Sequence, residues 1–407
     1  MDANPKLATS RYLVLLVHLG FILTGIVTTL LGPLLPTLAT QWSMRDARSG
    51  DFFLVQFLGS LICVMVCGRL LRVRGFRFCF TAAFALMTIG LACLGRGSWI
   101  AGLVSVFVYG CGQGFSIGAT NLWVGESNPS RRSSALSLVN FSWTIGALMS
   151  PSLVALGDKT HRIWPIVFAL SLVAGLLTLA FSLSDFEAGR ISEEDALKFD
   201  PVLKISKMFS SQTAIVFGLV FFLYVGTENS VSGWVATYAR RIQASQNDLW
   251  AVMPSFFWAA LLAGRLLVPL ILRRVHDLKL LRASLAIAVT GCALLLYAAK
   301  LQLVAIACVL SGAGFAGVFP IAMSYLSAYC GTENRELAGI VLACGGLGGG
   351  VLPWLIGIVS SAFGSLRAGL LIPLLGTIFL ILISLVPSSA IAIRLGSTTP
   401  QTEPLRK

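Results

Sequence analysis

Twelve long apolar segments follow one another along this 407-residue chain, separated by short polar turns and by one longer polar connection near the middle. Each holds roughly 20 apolar residues, the number that an α-helix needs to cross the ~30 Å hydrocarbon core of a bilayer. The pattern therefore predicts an all-α membrane protein with twelve transmembrane helices. These predicted helices lie near residues 12–41, 52–73, 77–96, 100–124, 134–157, 163–184, 212–239, 248–273, 278–298, 301–327, 336–362 and 367–395.

Composition supports a membrane protein. Hydrophobic residues make up 56% of the chain, charged residues 12%, and the mean hydropathy is +0.85, which leaves too little polar surface for a soluble globule of this size. The net charge of +13 would suggest a nucleic-acid partner in a soluble protein. Most of the 30 basic residues fall in the loops that are cytoplasmic if the amino terminus is cytoplasmic. The positive-inside rule therefore predicts that both termini are cytoplasmic, and no nucleic-acid partner is expected.

The predicted orientation can be tested by labelling the central connection. Single cysteines placed in residues 185–211, in a background without the nine native cysteines, should react with a membrane-impermeant maleimide only from the cytoplasmic side. Labelling of intact cells from outside at these positions would overturn the orientation.

The chain divides into two pseudo-symmetric bundles of six predicted helices, residues 1–184 and residues 212–407 with a cytoplasmic tail, joined by a cytoplasmic linker over 185–211. Internal repetition supports the division. The second helix closes with Cys67-Gly68-Arg69-Leu70-Leu71, and the eighth closes with Ala263-Gly264-Arg265-Leu266-Leu267. Parallel repeats of this kind occur in transporters whose substrate site lies between the halves near the membrane midplane.

The loop Gly68-Arg69-Leu70-Leu71-Arg72-Val73-Arg74-Gly75-Phe76-Arg77 resembles the signature between the second and third helices of the major facilitator superfamily. The resemblance covers essentially the whole chain and implies a twelve-helix transporter that works by alternating access. The family usually has Asp at the position of Leu71, so this chain keeps the basic cluster without that acid. The residues that the resemblance and the repeat implicate in conformational gating are Gly68, Arg69, Arg72, Gly75, Arg77, Arg132, Gly264 and Arg265.

Within that superfamily, Tyr224-Val225-Gly226-Thr227-Glu228, followed by Gly233-Trp234, resembles the seventh helix of the branch that contains fucose permease and sodium-dependent glucose transporter-like proteins. Residues 118–121 and 140–146 are similar to that branch as well. The resemblance implies sugar transport. Proton-coupled fucose permeases carry acids at positions that match Gly32 and Ile117 here, so the usual proton route is not implied.

Glu228 is the one acidic residue well inside a predicted span. A charged side chain at the bilayer centre costs about 2.5–3.5 kcal/mol on insertion scales, and such residues generally face a cavity. We therefore predict that Glu228 faces the central cavity, where it contacts the substrate or carries a coupling H⁺ or Na⁺. The alternative is a structural glutamate that is hydrogen-bonded to a neighbouring helix.

Polar stripes on two helices give further candidates for substrate binding. Gln113 and Asn121 share one face of the fourth helix, and Asn140 and Trp143 share one face of the fifth. Amides that both donate and accept, beside an aromatic plane, suit the hydroxyls and the apolar ring face of a sugar. The alternative is hydrogen bonding between helices, worth roughly 0.6 kcal/mol per contact.

Two residues of the seventh helix, Asn229 and Trp234, are predicted to add to the same site. The alternative for Trp234 is an anchor at the outer membrane interface. Glycines at four-residue spacing, in contrast, predict close helix packing. They are Gly110, Gly114, Gly118, Gly346 and Gly350.

These patterns predict a secondary transporter that moves a small polar solute, most readily a monosaccharide, as a uniporter or as an H⁺- or Na⁺-coupled symporter. An exporter of drugs or amphipathic compounds is the alternative, favoured if the cavity is wide and apolar. An organic-anion carrier would need Arg or Lys at mid-membrane, and the sequence places none there convincingly.

No paired carboxylates, nucleotide-binding signature or His/Cys metal spacing indicates an enzyme, and neither cofactor nor metal is expected. We expect a functional monomer, with both termini cytoplasmic, in a bacterial inner membrane, so that its partners are the lipid bilayer and the solute.

Overall fold

The computed structural model describes residues 11–128, 131–186, 211–242, 248–330 and 335–385. These residues are almost entirely helical, and we number the helices in chain order. They are α1 (Arg11–Gln41), α2 (Asp46–Cys93), α3 (Trp99–Ser127), α4 (Arg132–Lys159), α5 (Ile163–Leu183), α6 (Gln212–Ile242), α7 (Met253–Ile271), α8 (Asp277–Tyr297), α9 (Leu301–Phe315), α10 (Val318–Cys330), α11 (Arg335–Phe363), α12 (Leu366–Gly369) and α13 (Leu371–Leu385).

Within the described residues, eleven helical stretches are long and apolar enough to cross a membrane. One of them, α2, contains two predicted spans because its backbone leaves the helical conformation at Gly75, where φ is 78° and ψ is 175°. That conformation suits glycine, which has no Cβ to clash. All twelve predicted spans are thus represented, and the all-α membrane fold is confirmed. Residues 386–395 of the last predicted span and 187–210 of the linker lie outside the described residues.

We refer to α1–α5 as the N-terminal half and to α6–α13 as the C-terminal half. Within the N-terminal half, α3 packs closely along α2. Gly110 and Gly114 lie against the backbone oxygens of Gln56 and Ser60, and Gly118 lies against the Cys67 side chain. The predicted role of these three glycines in helix packing is confirmed, since the absence of a Cβ lets two backbones approach.

The crossing of α1 and α4 is closer still. A Cβ built on Gly25 would overlap the Trp143 carbonyl group, and one built on Gly146 would overlap the Ile22 carbonyl oxygen. Each of the two helices therefore has a glycine that lies directly against the backbone of the other helix.

Among the described residues, the two halves contact each other mainly through three helix pairs, α1 with α6, α2 with α11, and α4 with α7, and residues 248–252, just before α7, also pack on α4. In the second pair, Gly350 lies against Phe57 and Leu54 of α2, and Gly346 has Leu61 as its neighbour at 3.8 Å. The small residues of α11 thus face the opposite half.

Candidate functional site

A buried charged cluster lies where α4, α6 and α7 meet. Glu228 on α6 is only 6% exposed, and the Tyr224 hydroxyl, one turn earlier, donates a hydrogen bond to its carboxylate. Arg265 on α7 places Nη2 at 3.7 Å from Glu228 Oε2 and at 3.3 Å from Tyr224 Oη. Its Nη1 lies 3.5 Å from Thr144 Oγ1 on α4. We call these four residues the charged cluster; they bring both halves together at one point.

The cluster corrects one sequence interpretation. Arg265 was expected at the cytoplasmic end of its helix, by analogy with Arg69, and no basic side chain was expected at mid-membrane. The second expectation is wrong, because Arg265 lies about two turns before α7 ends at Ile271 and contacts Glu228. A signal was present in the sequence, since position 265 falls well inside the predicted span 248–273. The repeat points the other way, because Gly264-Arg265 matches Gly68-Arg69, which closes the second predicted helix.

Aromatic side chains join the halves beside this cluster. Trp143 of α4 and Trp258 of α7 meet edge to face, with ring centroids 5.6 Å apart and an interplanar angle of 79°. Trp258 is 1% exposed, whereas Trp143 is half-buried. Farther along the same helix pair, Ser255 of α7 donates to the Leu148 carbonyl at 3.2 Å. The sequence analysis had singled out Trp143 but not Trp258, whose position in an apolar run gives no sign of an aromatic partner.

Three of the predicted asparagines share one geometry. The Nδ2 atoms of Asn121, Asn140 and Asn229 each donate to the carbonyl four residues earlier in their own helix, at 2.9, 2.8 and 2.8 Å. This bond uses one of the two amide N–H donors and leaves the carbonyl oxygen and the other N–H for a solute. Asn140 is exposed and lies one turn before Thr144 on α4, so it extends the charged cluster along that helix.

Gln113 lies in a second polar cluster inside the N-terminal half. It is 1% exposed, and its Oε1 accepts a hydrogen bond from Gln56 Nε2 at 3.3 Å. The same Gln56 amide donates to the Thr28 carbonyl at 2.8 Å. Gln113 Nε2 is buried without a hydrogen-bond partner among the described residues, so this cluster contains an N–H donor whose hydrogen bond is not formed. Gln56 was not identified from the sequence.

Trp234 is placed differently from its prediction as a substrate contact. Its side chain is fully buried, and its indole N–H donates to the Pro353 carbonyl of α11 at 2.9 Å. Its ring lies 5.9 Å from that of Phe53. The one polar group of the indole is therefore used in packing α6 against α11, and the side chain lies inside the protein, outside the charged cluster.

The predicted gating residues are distributed over the interior of α2, the start of α4 and the interior of α7. Gly75 breaks α2, and Leu71, at the position where the family usually has Asp, is 1% exposed in the hydrophobic core. Arg132 lies with its guanidinium against Gly125 at the end of α3. Gly264 packs on Ala316, between α9 and α10. The remaining members are buried Gly68, half-buried Arg72, and exposed Arg69 and Arg77.

An ion pair and two side-chain hydrogen bonds join the two halves at one end of the bundle. We call it the outer end, marked by residues 41–46, because the charge distribution predicts that it faces away from the cytoplasm. Arg241 of α6 makes a two-pronged ion pair with Asp46 at the start of α2, one N–O distance being 2.8 Å. Ser360 of α11 donates to the same carboxylate. Trp354 Nε1 donates to Asp51 Oδ1 at 3.0 Å.

These five residues are referred to below as the outer latch. Asp46 and Asp51 precede the predicted span 52–73, but the helix begins earlier than predicted, and both lie in the first two turns of α2. Among the described residues, no group of three or more His, Cys, Asp or Glu is placed to hold a metal ion.

Comparison with known proteins agrees with this architecture. The sequence profile of the Major Facilitator Superfamily matches residues 17–353. The glucose/mannose transporter GlcP of Bacillus subtilis is 23% identical over 349 residues, which cover 83% of this chain and 85% of that protein.

Solved structures share the fold at low sequence identity. The nucleoside transporter NupG superposes with a TM-score of 0.73 at 15% identity, covering 90% of this chain and 98% of that one. The fucose:proton symporter of E. coli gives 0.61 at 18% identity, covering 92% and 98%. Because the family profile spans most of the sequence, the chain belongs to the Major Facilitator Superfamily and is a multi-pass membrane protein that carries small solutes by secondary transport.

Proposed function

We propose that this protein carries a monosaccharide across the membrane, with the charged cluster as its substrate site. The observation that carries the proposal is the pairing of Glu228 with Arg265 at 3.7 Å where the two halves meet. A carboxylate only accepts hydrogen bonds and a guanidinium only donates them. Together they can satisfy neighbouring hydroxyl groups of a sugar, each of which donates and accepts, with charge-assisted bonds.

The aromatic pair supports the same class of solute. Trp143 precedes Thr144 on α4, and Trp258 lies about two turns before Arg265 on α7, so the helices that carry the polar groups also carry an aromatic pair. Small-molecule sites usually combine apolar walls with a few placed polar groups. GlcP carries glucose and mannose and the E. coli relative carries fucose, while NupG carries nucleosides, which contain a sugar.

The transport cycle that we propose is alternating access by rocking of residues 1–184 against residues 212–407. The outer latch closes one end of the path in the present conformation. In the opposite conformation the latch opens and the helices approach each other at the cytoplasmic end. Thr144 and Arg265 lie on opposite halves and contact each other in this conformation, so this contact changes when the halves rock.

Substrate exchange tests the proposed function. Proteoliposomes that contain the purified protein are loaded with unlabelled glucose, mannose, fucose, xylose or uridine, and entry of the matching labelled compound is followed. We expect saturable counterflow for at least one sugar and none for an amphipathic dye. Counterflow of the dye without that of any sugar would support the drug exporter instead.

Alanine substitutions test the asparagines. Asn140→Ala and Asn121→Ala should weaken sugar binding by roughly 1–3 kcal/mol, because the hydroxyl that each amide serves loses its partner. Asn128 provides a matched control, since its Nδ2 makes the same kind of bond to Val124 at 3.1 Å but lies at the end of α3. The half-saturation concentration in counterflow should rise for the first two variants and stay unchanged for Asn128→Ala. If the half-saturation concentration changes equally in all three variants, the asparagine side chains serve only the structure of their helices and do not bind the sugar.

A further inference from the structure

The pairing of Glu228 with Arg265 bears on the energy source of transport. A carboxylate in the membrane interior needs a compensating positive charge, which can be a proton, a metal cation or a basic side chain. Among the residues described by the structure, Glu228 is the only acidic residue whose side chain is buried. Its charge is met by Arg265 at 3.7 Å, and the Tyr224 hydroxyl supplies a hydrogen bond.

Within the part of the chain that the structure describes, Arg265 is the basic group that pairs with this carboxylate. His18 of α1 is instead hydrogen-bonded to Ser142 of α4 at 2.7 Å. On α4 the group in contact with Arg265 is the neutral Thr144 hydroxyl. The ionisable side chains described on α9, α10 and α11 are thiols and phenols, namely Cys308, Tyr325, Tyr329, Cys330 and Cys344.

Both charges belong to the same half of the molecule. Glu228 and Tyr224 lie on α6 and Arg265 lies on α7, so all three move together when the halves rock. The bond that crosses to the other half is the one from Arg265 to Thr144 at 3.5 Å. Rocking therefore breaks the link to Thr144 and keeps the ion pair, so Glu228 remains compensated in every conformation.

From these observations we infer that Arg265 occupies the place of a coupling cation and that this protein is a facilitator, which equilibrates its solute without moving H⁺ or Na⁺. The inference rests on the proposed function. It makes Arg265 the residue that sets the coupling mode. It also predicts a gain of cation dependence when Arg265 loses its charge, because a buried carboxylate without a partner must take up a proton or a cation.

The test uses four proteins in proteoliposomes, the wild type, Arg265→Lys, Arg265→Gln and the double variant Glu228→Gln/Arg265→Gln. Transport of the sugar identified by counterflow is measured with and without inward pH and Na⁺ gradients, and proton movement is followed with a trapped pH dye. The wild type should bring the sugar to equal concentrations on both sides. All three variants alter the proposed substrate site and should transport more slowly. Whatever its rate, Arg265→Lys should still bring the sugar to equal concentrations, uptake by Arg265→Gln should rise severalfold in acid or with Na⁺, and any uptake that the double variant retains should not depend on either cation.

A measurement without substrate separates this inference from the proposed function. The melting temperature of Arg265→Gln should fall more steeply between pH 5 and pH 8 than that of the wild type or the double variant. The reason is that protonated Glu228 stabilises the folded variant only while acid supplies the proton. Concentrative sugar uptake with proton or Na⁺ movement in the wild type would overturn the inference, as would melting curves of Arg265→Gln that match the wild type. Failure of all sugars in counterflow together with the expected melting behaviour would instead reject the sugar assignment alone.

Discussion

A single methyl group added at Gly146 will severely destabilise this transporter. The new Cβ would overlap the Ile22 carbonyl oxygen and would lie 2.9 Å from the Ile26 nitrogen. Both are backbone atoms of α1, which cannot rotate away as a side chain can, so α1 and α4 must separate. Overpacking of a tight core typically costs 1–3 kcal/mol, and separation of a whole helix pair places Gly146→Ala at the upper end or beyond.

Gly346→Ala is the matched control for this prediction. The nearest atom to a Cβ at Gly346 is Leu61 Cδ1 at 3.8 Å, which is an ordinary contact. Alanine also has a higher helix propensity than glycine, by about 1 kcal/mol. The melting temperature and the monodisperse yield in detergent should collapse for Gly146→Ala and remain unchanged or improve for Gly346→Ala. Similar losses in both variants would mean that glycine has another role at these positions.

Charge reversal at Asp46 should disable transport by preventing closure of the outer end. The Asp46 side chain is 11% exposed and accepts bonds from Arg241 and Ser360, so an arginine in its place brings two cations together where an ion pair had joined the halves. Like charges at such a site repel, whereas exposed ion pairs alone contribute only about 0–1 kcal/mol. We expect transport by Asp46→Arg to fall at least about tenfold, which corresponds to about 1.4 kcal/mol.

The double exchange Asp46→Arg/Arg241→Asp provides the control, because it restores opposite charges with their positions exchanged. It should recover a substantial part of the lost transport. Single cysteines near the outer latch should react faster with an impermeant maleimide in Asp46→Arg than in the double variant. Full transport by Asp46→Arg, or no recovery in the double exchange, would show that the ion pair does not hold the outer end closed.

The same two sites show why some features could be read from the sequence and others could not. Close packing at Gly110, Gly114 and Gly118 was predicted, because four-residue spacing places glycines on one face of a helix whatever lies opposite. The pair formed by Gly25 and Gly146 was not singled out, since its effect depends on how α1 and α4 cross. Likewise, Asp46 and Arg241 are 195 positions apart, and nothing in the sequence around either residue indicates that the two form an ion pair.

The sequence alone predicted the helical spans, with a boundary between the second and third at residues 73–77, and an inward-facing position for Glu228. Both follow from local rules, because about 20 apolar residues fix a span and an acid within an apolar run must lie inside the bundle. Which groups meet could be known only from the packed structure. It placed Arg265 beside Glu228 and turned the Trp234 indole towards Pro353, because the rotation of each helix about its axis is set by packing over the whole bundle.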